Sequence, residues 1–445
     1  MHPCLQLSAS TRAKIPLRIR RASLEACRIS ASPEERSSLI DKVIHWPPPS
    51  LIPLLPVFHA FLEHSLIHRI SDILDRLDSL SETSEQLHVF RHEIFYAMGS
   101  LRAVSMILRQ NAAPADAFSD LWKNLWPWIQ FLEGYQDVLP ETLITASERG
   151  ITTTVFISAL RENPEAEELM LLSLVDICSI LGGAWFHLVH ADVTRYQAAG
   201  EVLDMLLECL RVLIGHPTWS RAAADALVTG AGPGTAADLA SLALIQLNRY
   251  LPTTRPYIFP NKLIFALDNL IVFLGDASGI IDEELKFDPV FREALLAKGL
   301  VTLLTRLCRA GFEGNLPVDT QEMFYEILLT YLHPYPRHRW TTEALQAEFL
   351  HTVFQAAKRL PESIDDVFDR LSSTTMLHSS LSQLRVSLNA IEDLDAQVMD
   401  LKINSLPAFR HWDRFISVVQ DRFTALDAYN AGNLKIPVAC HNFEG

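Results

Sequence analysis

The chain has 445 residues, of which 49% are hydrophobic and 20% charged, and 38 Lys and Arg stand against 53 Asp and Glu for a net charge of −15. This length suits two or three domains, or one extended repeat array with a large buried core. A field of that sign repels phosphate backbones and argues against general nucleic-acid binding, and 17 glycines with no sustained apolar–polar alternation argue against a β-rich fold.

From the N-terminus, residues 12–28 carry Arg12, Lys14, Arg18, Arg20, Arg21 and Arg28 against one acid, Glu25. The pattern reads either as a mitochondrial presequence or, preferred here, as a basic first helix docked on an acidic body. No apolar core of a secretory signal precedes it. Ser32-Pro33-Glu34-Glu35 then supplies a helix cap, a proline at the first helical position and acids in the first turn. Asn163-Pro164-Glu165 repeats the arrangement.

Apolar residues recur at intervals of three and four through the chain, which is the helical period. Leu66, Ile67, Ile70, Ile73, Leu74 and Leu77 line one face. Ile94, Phe95, Met98, Leu101, Val104 and Leu108 line a second, and Val202, Leu203, Leu206, Leu207, Leu210 and Leu213 a third. Further helices are predicted near 118–132, 153–161, 165–181, 219–229, 236–250, 261–274, 288–309, 319–332, 341–358, 363–371, 379–399 and 408–428. The stretch from Leu169 to His190 is the most membrane-like, but Asp176, His187 and His190 interrupt it, so it reads as a buried helix pair. Pro and Gly clusters at 46–50, 230–234, 311–317 and 333–336 mark loops.

About one helix pair per 40 residues, with no fixed sequence period, predicts an all-α fold of the irregular armadillo/HEAT-like solenoid type. The expected organisation is a basic N-terminal segment over 1–30, a helical body over 31–430 and a tail over 431–445. A compact helical bundle is the competing architecture.

Few local patterns carry chemistry. Gly230-Ala231-Gly232-Pro233-Gly234 opens a helix, but no strand precedes it and no Lys-Ser/Thr follows, so it reads as an interhelical loop. His187, His190 and Asp192 have near-helical spacing without a recognised metal motif. Trp122, Trp126 and Trp128 read first as core anchors, and they are the protein-contact candidates if part of their stripe is exposed. The loop 333–340 mixes bases and aromatics but is short, and helix connection is the preferred reading. No Gly-x-Ser-x-Gly elbow occurs, and nothing argues for catalysis.

The six cysteines, Cys4, Cys27, Cys178, Cys209, Cys308 and Cys440, are scattered, with no two within four residues of each other. That spacing offers no CxxC pair and fits a reducing compartment, cytoplasm or nucleus. Cys440 differs from the rest in lying in a short polar turn after the last predicted helix.

Around it, Trp412-Asp413-Arg414-Phe415, Val418-Val419-Gln420-Asp421-Arg422 and Val438-Ala439-Cys440-His441-Asn442 resemble the approach to a MYND-type zinc finger in large fungal proteins. The opening is similar too: Met1-His2-Pro3 with Leu5 and Leu7, Pro16-Leu17-x-Ile19-Arg20-Arg21, and Leu54-Leu55-Pro56-Val57-Phe58. The resemblance implies a helical body followed by a finger that binds two zinc ions through seven Cys and one His and docks short proline-containing peptides. Cys440 corresponds to its first ligand, and the others would lie beyond Gly445. The expectation is therefore an incomplete finger in which this chain binds no zinc as it stands, since a structural site takes four ligands.

The function implied is a non-enzymatic scaffold for protein partners with basic or proline-containing segments, without nucleic acid or membrane. The alternatives are a fragment of a MYND/SET lysine methyltransferase-like protein and a transport-receptor-like solenoid.

Overall fold

The computed structural model describes residues 1–12, 15–76, 85–110, 113–135, 145–161, 171–191, 197–277, 287, 289–332, 338–360, 367–404 and 406–433. Among them every regular element is a helix, and the fold is all-α. It divides into two compact units, Met1–Leu239 and Ala240–Gly445. In each, helices pack mainly on helices one to four places away in the chain, the solenoid-like pattern that the predicted pairs imply.

The first unit contains α1 (Leu7–Arg12), α2 (Leu17–Ala26), α3 (Pro33–Val43), α4 (Pro48–Leu51), α5 (Leu55–Phe61), α6 (His64–Leu74), α7 (Glu85–Leu108), α8 (Phe118–Gly134), α9 (Ala146–Arg161), α10 (Leu174–His190), α11 (Gln197–Gly215) and α12 (Arg221–Gly230). The boundary falls within α13 (Ala236–Tyr250), and α14 (Asn261–Ala277), α15 (Pro289–Ala297), α16 (Leu300–Glu313), α17 (Val318–Leu332), α18 (His338–Gln346), α19 (Phe349–Arg359), α20 (Val367–Thr374), α21 (His378–Asn389), α22 (Leu394–Asn404) and α23 (Leu406–Asn430) follow.

Helix starts follow local chemistry. Ser32 Oγ accepts from the Glu35 N–H at 3.3 Å while Glu35 Oε2 accepts from the Ser32 N–H at 2.9 Å, a capping box with Pro33 at the first helical position. Thr145 with Glu148 and Thr235 with Asp238 repeat this reciprocal pairing before α9 and α13.

Three predicted long helices are each two shorter ones. The 288–309 prediction breaks at Gly299 (φ 94°), 341–358 breaks at Glu348 (φ 69°), and 379–399 breaks before Asp393 (φ 50°). A left-handed residue ends a helical run and redirects the chain. Glycine signals this in the sequence, whereas Glu and Asp do not. Of the expected pair around Leu169–His190, the described part is helical at 171–172, breaks at Ser173 and continues as the 17-residue α10 with eleven buried residues. No single helix among the described residues is long and apolar enough to cross a membrane.

α7 organises the first unit, packing against α3, α4, α5, α6 and α9. Gly99 on α7 lies so close to Ile40 on α3 that a Cβ there would overlap the Ile40 side chain. One turn further, the buried Ser37 hydroxyl donates to the His92 carbonyl at 3.0 Å, fixing the register of α3 on α7. α10 and α12 also meet backbone to backbone: a Cβ on Gly182 would strike Leu227 O, and one on Gly230 would strike Ser179 O. The basic N-terminal segment belongs to this unit. α2 packs on α3, Leu5 and Ala26 are buried, and His2 reaches Asp116 at 3.0 Å and Asp120 at 2.5 Å.

Candidate functional site

The three indoles singled out as contact candidates are core residues. Trp122, Trp126 and Trp128 are 6%, 8% and 0% exposed. Trp122 stacks on Trp126 at 4.7 Å and on Phe156 of α9 at 5.5 Å. Trp128 Nε1 donates to Leu62 O at 3.1 Å. α8 is flanked by α6 and α9, so its aromatic stripe is covered and offers no surface to a partner. Periodicity reveals such a stripe but not whether another helix lies against it.

Cys440 lies outside the described residues, as do Asp192, residues 162–170 and the 333–337 part of the basic-aromatic loop. Trp340, at that loop's end, is 6% exposed, with the Arg339 guanidinium 4.8 Å from its ring centre. His190 stacks on Phe186, and its Nδ1 lies 2.8 Å from Phe186 O. At the glycine cluster, Asp238 takes both the N–H and the hydroxyl of Thr235, so a side chain of this protein already occupies the start of α13.

Cys178 and Cys308 are buried, and burial pushes both thiols up, Cys178 to about 12. Cys27, also raised by burial, reaches about 11. These are protonated and poorly nucleophilic at neutral pH.

One group missed by the sequence reading has ligand chemistry. Glu34, in the first turn of α3, meets His88 and His92 of α7, one ligand atom of each lying within 4.8 Å of the others. His88 Nδ1 is 3.5 Å from Glu34 Oε1, and the two imidazoles are 4.8 Å apart, ring centre to ring centre. Hydrogen bonds from Ser32 and from its own backbone N–H hold the Glu34 carboxyl below its usual range, with smaller contributions from the two histidines. His88 and Glu34 are exposed, and His92 is half-buried. The histidine half, His-x-x-x-His, stands in the sequence just before the predicted 94–108 face, and α7 starts early enough, at Glu85, to include it. Glu34 carries no such signal, being 54 residues away on another helix.

Two ionic centres have structural roles. Buried Glu93 of α7 accepts from Arg69 of α6 at 2.9 Å. In the second unit Glu313 receives Arg309 at 2.9 Å, Arg255 at 2.8 Å and His351 at 3.2 Å, joining α16 and α19 to the segment before α14. Burial raises the Glu313 carboxyl, but the hydrogen bond and charge of Arg309, with Arg255 and His351, outweigh it and lower the pKa.

The two best-defined cavities among the described residues are small. One of about 10 Å³ lies between α7, α8 and α9 at Leu101, Leu125 and Phe156, and one of about 20 Å³ between α17 and α20 at Leu329 and Leu371. Small-molecule sites run to roughly 300–1,000 Å³.

No family model, no curated protein and no solved structure matches this chain.

Proposed function

We propose that the chain is a non-enzymatic helical scaffold that binds proteins through its surface. The observation that carries this reading is the packing: among the described residues helix stacks on near-neighbour helix, and the two best-defined cavities hold only about 10 and 20 Å³, in a protein of net charge −15. Stacked helices of this kind offer extended binding surfaces, and an acidic surface selects partners by charge complementarity. Basic segments are its natural ligands. Cytoplasm or nucleus is the compartment that the scattered cysteine spacing, without a CxxC motif, favours.

The likeness of the 412–442 region to the approach of a MYND-type finger adds a second element to the proposal. Cys440 would be the first zinc ligand of a peptide-docking finger, and one thiolate holds no structural zinc without three further ligands. A Cys440→Ser chain should therefore carry as much metal as the wild type, measured by elemental analysis.

Fluorescence anisotropy with labelled Lys/Arg-rich peptides tests the scaffold reading. Saturable, salt-sensitive binding supports it. Methyl transfer from S-adenosylmethionine to lysine substrates would overturn it in favour of a SET-type enzyme.

A further inference from the structure

We propose that Glu34, His88 and His92 form a surface site for a late first-row divalent cation of the zinc class, bridging the start of α3 to α7. The donor set is two imidazoles and one carboxylate, which suits Zn²⁺, Co²⁺ or Ni²⁺ better than the all-oxygen cations Ca²⁺ and Mg²⁺. His88 and His92 are four residues apart on one helix and share a face, so both reach a single ion.

The backbone beneath the site is fixed independently of any metal. Ser37, one turn after Glu34, is anchored to the His92 carbonyl, and the Ser32–Glu35 capping box sets the first turn of α3. Because Glu35 is occupied in that box, Glu34 is the acid left to face the histidines. Donor atoms around a tetrahedral zinc with bonds of about 2.0–2.2 Å lie roughly 3.4 Å apart. The present spacing of up to 4.8 Å closes by side-chain rotation alone, since Glu34 and His88 are 45% and 63% exposed.

The cations of α3 do not compete for the position. Arg36 is turned to Ala26 O and the Tyr96 hydroxyl, and Lys42 to Ser38 Oγ. One carboxylate beside two neutral imidazoles leaves a net charge of −1 for the ion, and three protein ligands leave a fourth position for water. The bound ion would clamp α3 to α7 at the solvent edge of their interface, with His92 two helical turns before the Gly99–Ile40 contact.

The test uses the full chain after chelator treatment, titrated with Zn²⁺ by calorimetry and with Co²⁺ by visible absorption. One site is expected, with a rise in the Tm of the wild type on adding Zn²⁺. His88→Ala and Glu34→Gln should each weaken binding by about tenfold or more, and the His88→Ala/His92→Ala double variant should abolish both binding and the Tm rise. A His64→Ala/His68→Ala variant, which removes the other exposed helical histidine pair, and Cys440→Ser should bind like the wild type. Exposed His88 and Glu34 can be replaced without disturbing the core, and circular dichroism verifies the fold. Absence of uptake by the wild type, equal affinity in His88→Ala and Glu34→Gln, or loss that follows His64/His68 or Cys440 would each overturn the site.

Discussion

Glu93 shows how one residue sets a local pH dependence. Burial raises its pKa, and Arg69 and then Arg36 pull it back down. A carboxyl whose folded pKa lies above its unfolded value contributes stability that is present in acid and lost as pH rises through the folded value. Arg69 limits that loss. Removing it in Arg69→Ala leaves the buried carboxylate without its closest cation, at a cost of about 1–3 kcal/mol near neutral pH. The penalty should shrink as pH falls through the raised folded pKa and Glu93 takes up a proton, and urea unfolding at neutral and at acid pH measures it. Glu313 has the opposite sign. Its folded pKa is lowered, so its contribution is present above the unfolded value and lost as pH falls through the folded one. Glu313→Gln should destabilise at pH 7 by about 1–3 kcal/mol, with the difference from wild type closing in acid below about pH 4.

At the scale of elements, glycine positions decide which helices touch. Gly182 and Gly230 let α10 and α12 approach until backbone meets backbone, and backbone atoms cannot swing aside as a side-chain tip can. Gly182→Ala should therefore cost about 1–3 kcal/mol. Gly200, on an exposed part of α11 with nothing within 4 Å of its would-be Cβ, is the matched control. Gly200→Ala should stabilise by about 0.5–1 kcal/mol, because alanine loses less backbone entropy in a helix. Thermal melts of the two variants should shift in opposite directions.

The same scale shows where reading from sequence stops. Six of six apolar positions predicted for the 202–213 face are buried, and Ser32-Pro33 starts a helix as its chemistry requires. Of the 94–108 face, Phe95 alone is 38% exposed, at the margin of the stripe. The broken helices at Glu348 and Asp393 were unreadable because an acid at positive φ carries no mark that distinguishes it from one in mid-helix. The candidate site was half legible for a related reason. Histidines four apart share a helix face by geometry, but the docking of α3 on α7, through Ser37 and Gly99, brings Glu34 to them.

For the molecule as a whole, the net charge of −15 sets the expected behaviour towards partners. Binding of a Lys/Arg-rich peptide should weaken progressively as salt rises from about 50 to 300 mM, because the Debye length falls through roughly 10 Å over that range. A peptide of the same length with acids in place of the bases should not bind. Anisotropy titrations at the two salt concentrations distinguish charge complementarity from apolar docking, which salt does not weaken.

Composition and period alone determined that this chain is helical and acidic and packs in neighbouring layers, because helix periodicity and charge are properties of short stretches and of sums. Tertiary structure decided the rest. It covered Trp122, Trp126 and Trp128 with α6 and α9, and it brought Glu34 beside His88 and His92. Burial and ligand convergence depend on which helix lies against which, and that follows from close approaches such as Gly99 against Ile40, far apart in sequence and unmarked by any local pattern.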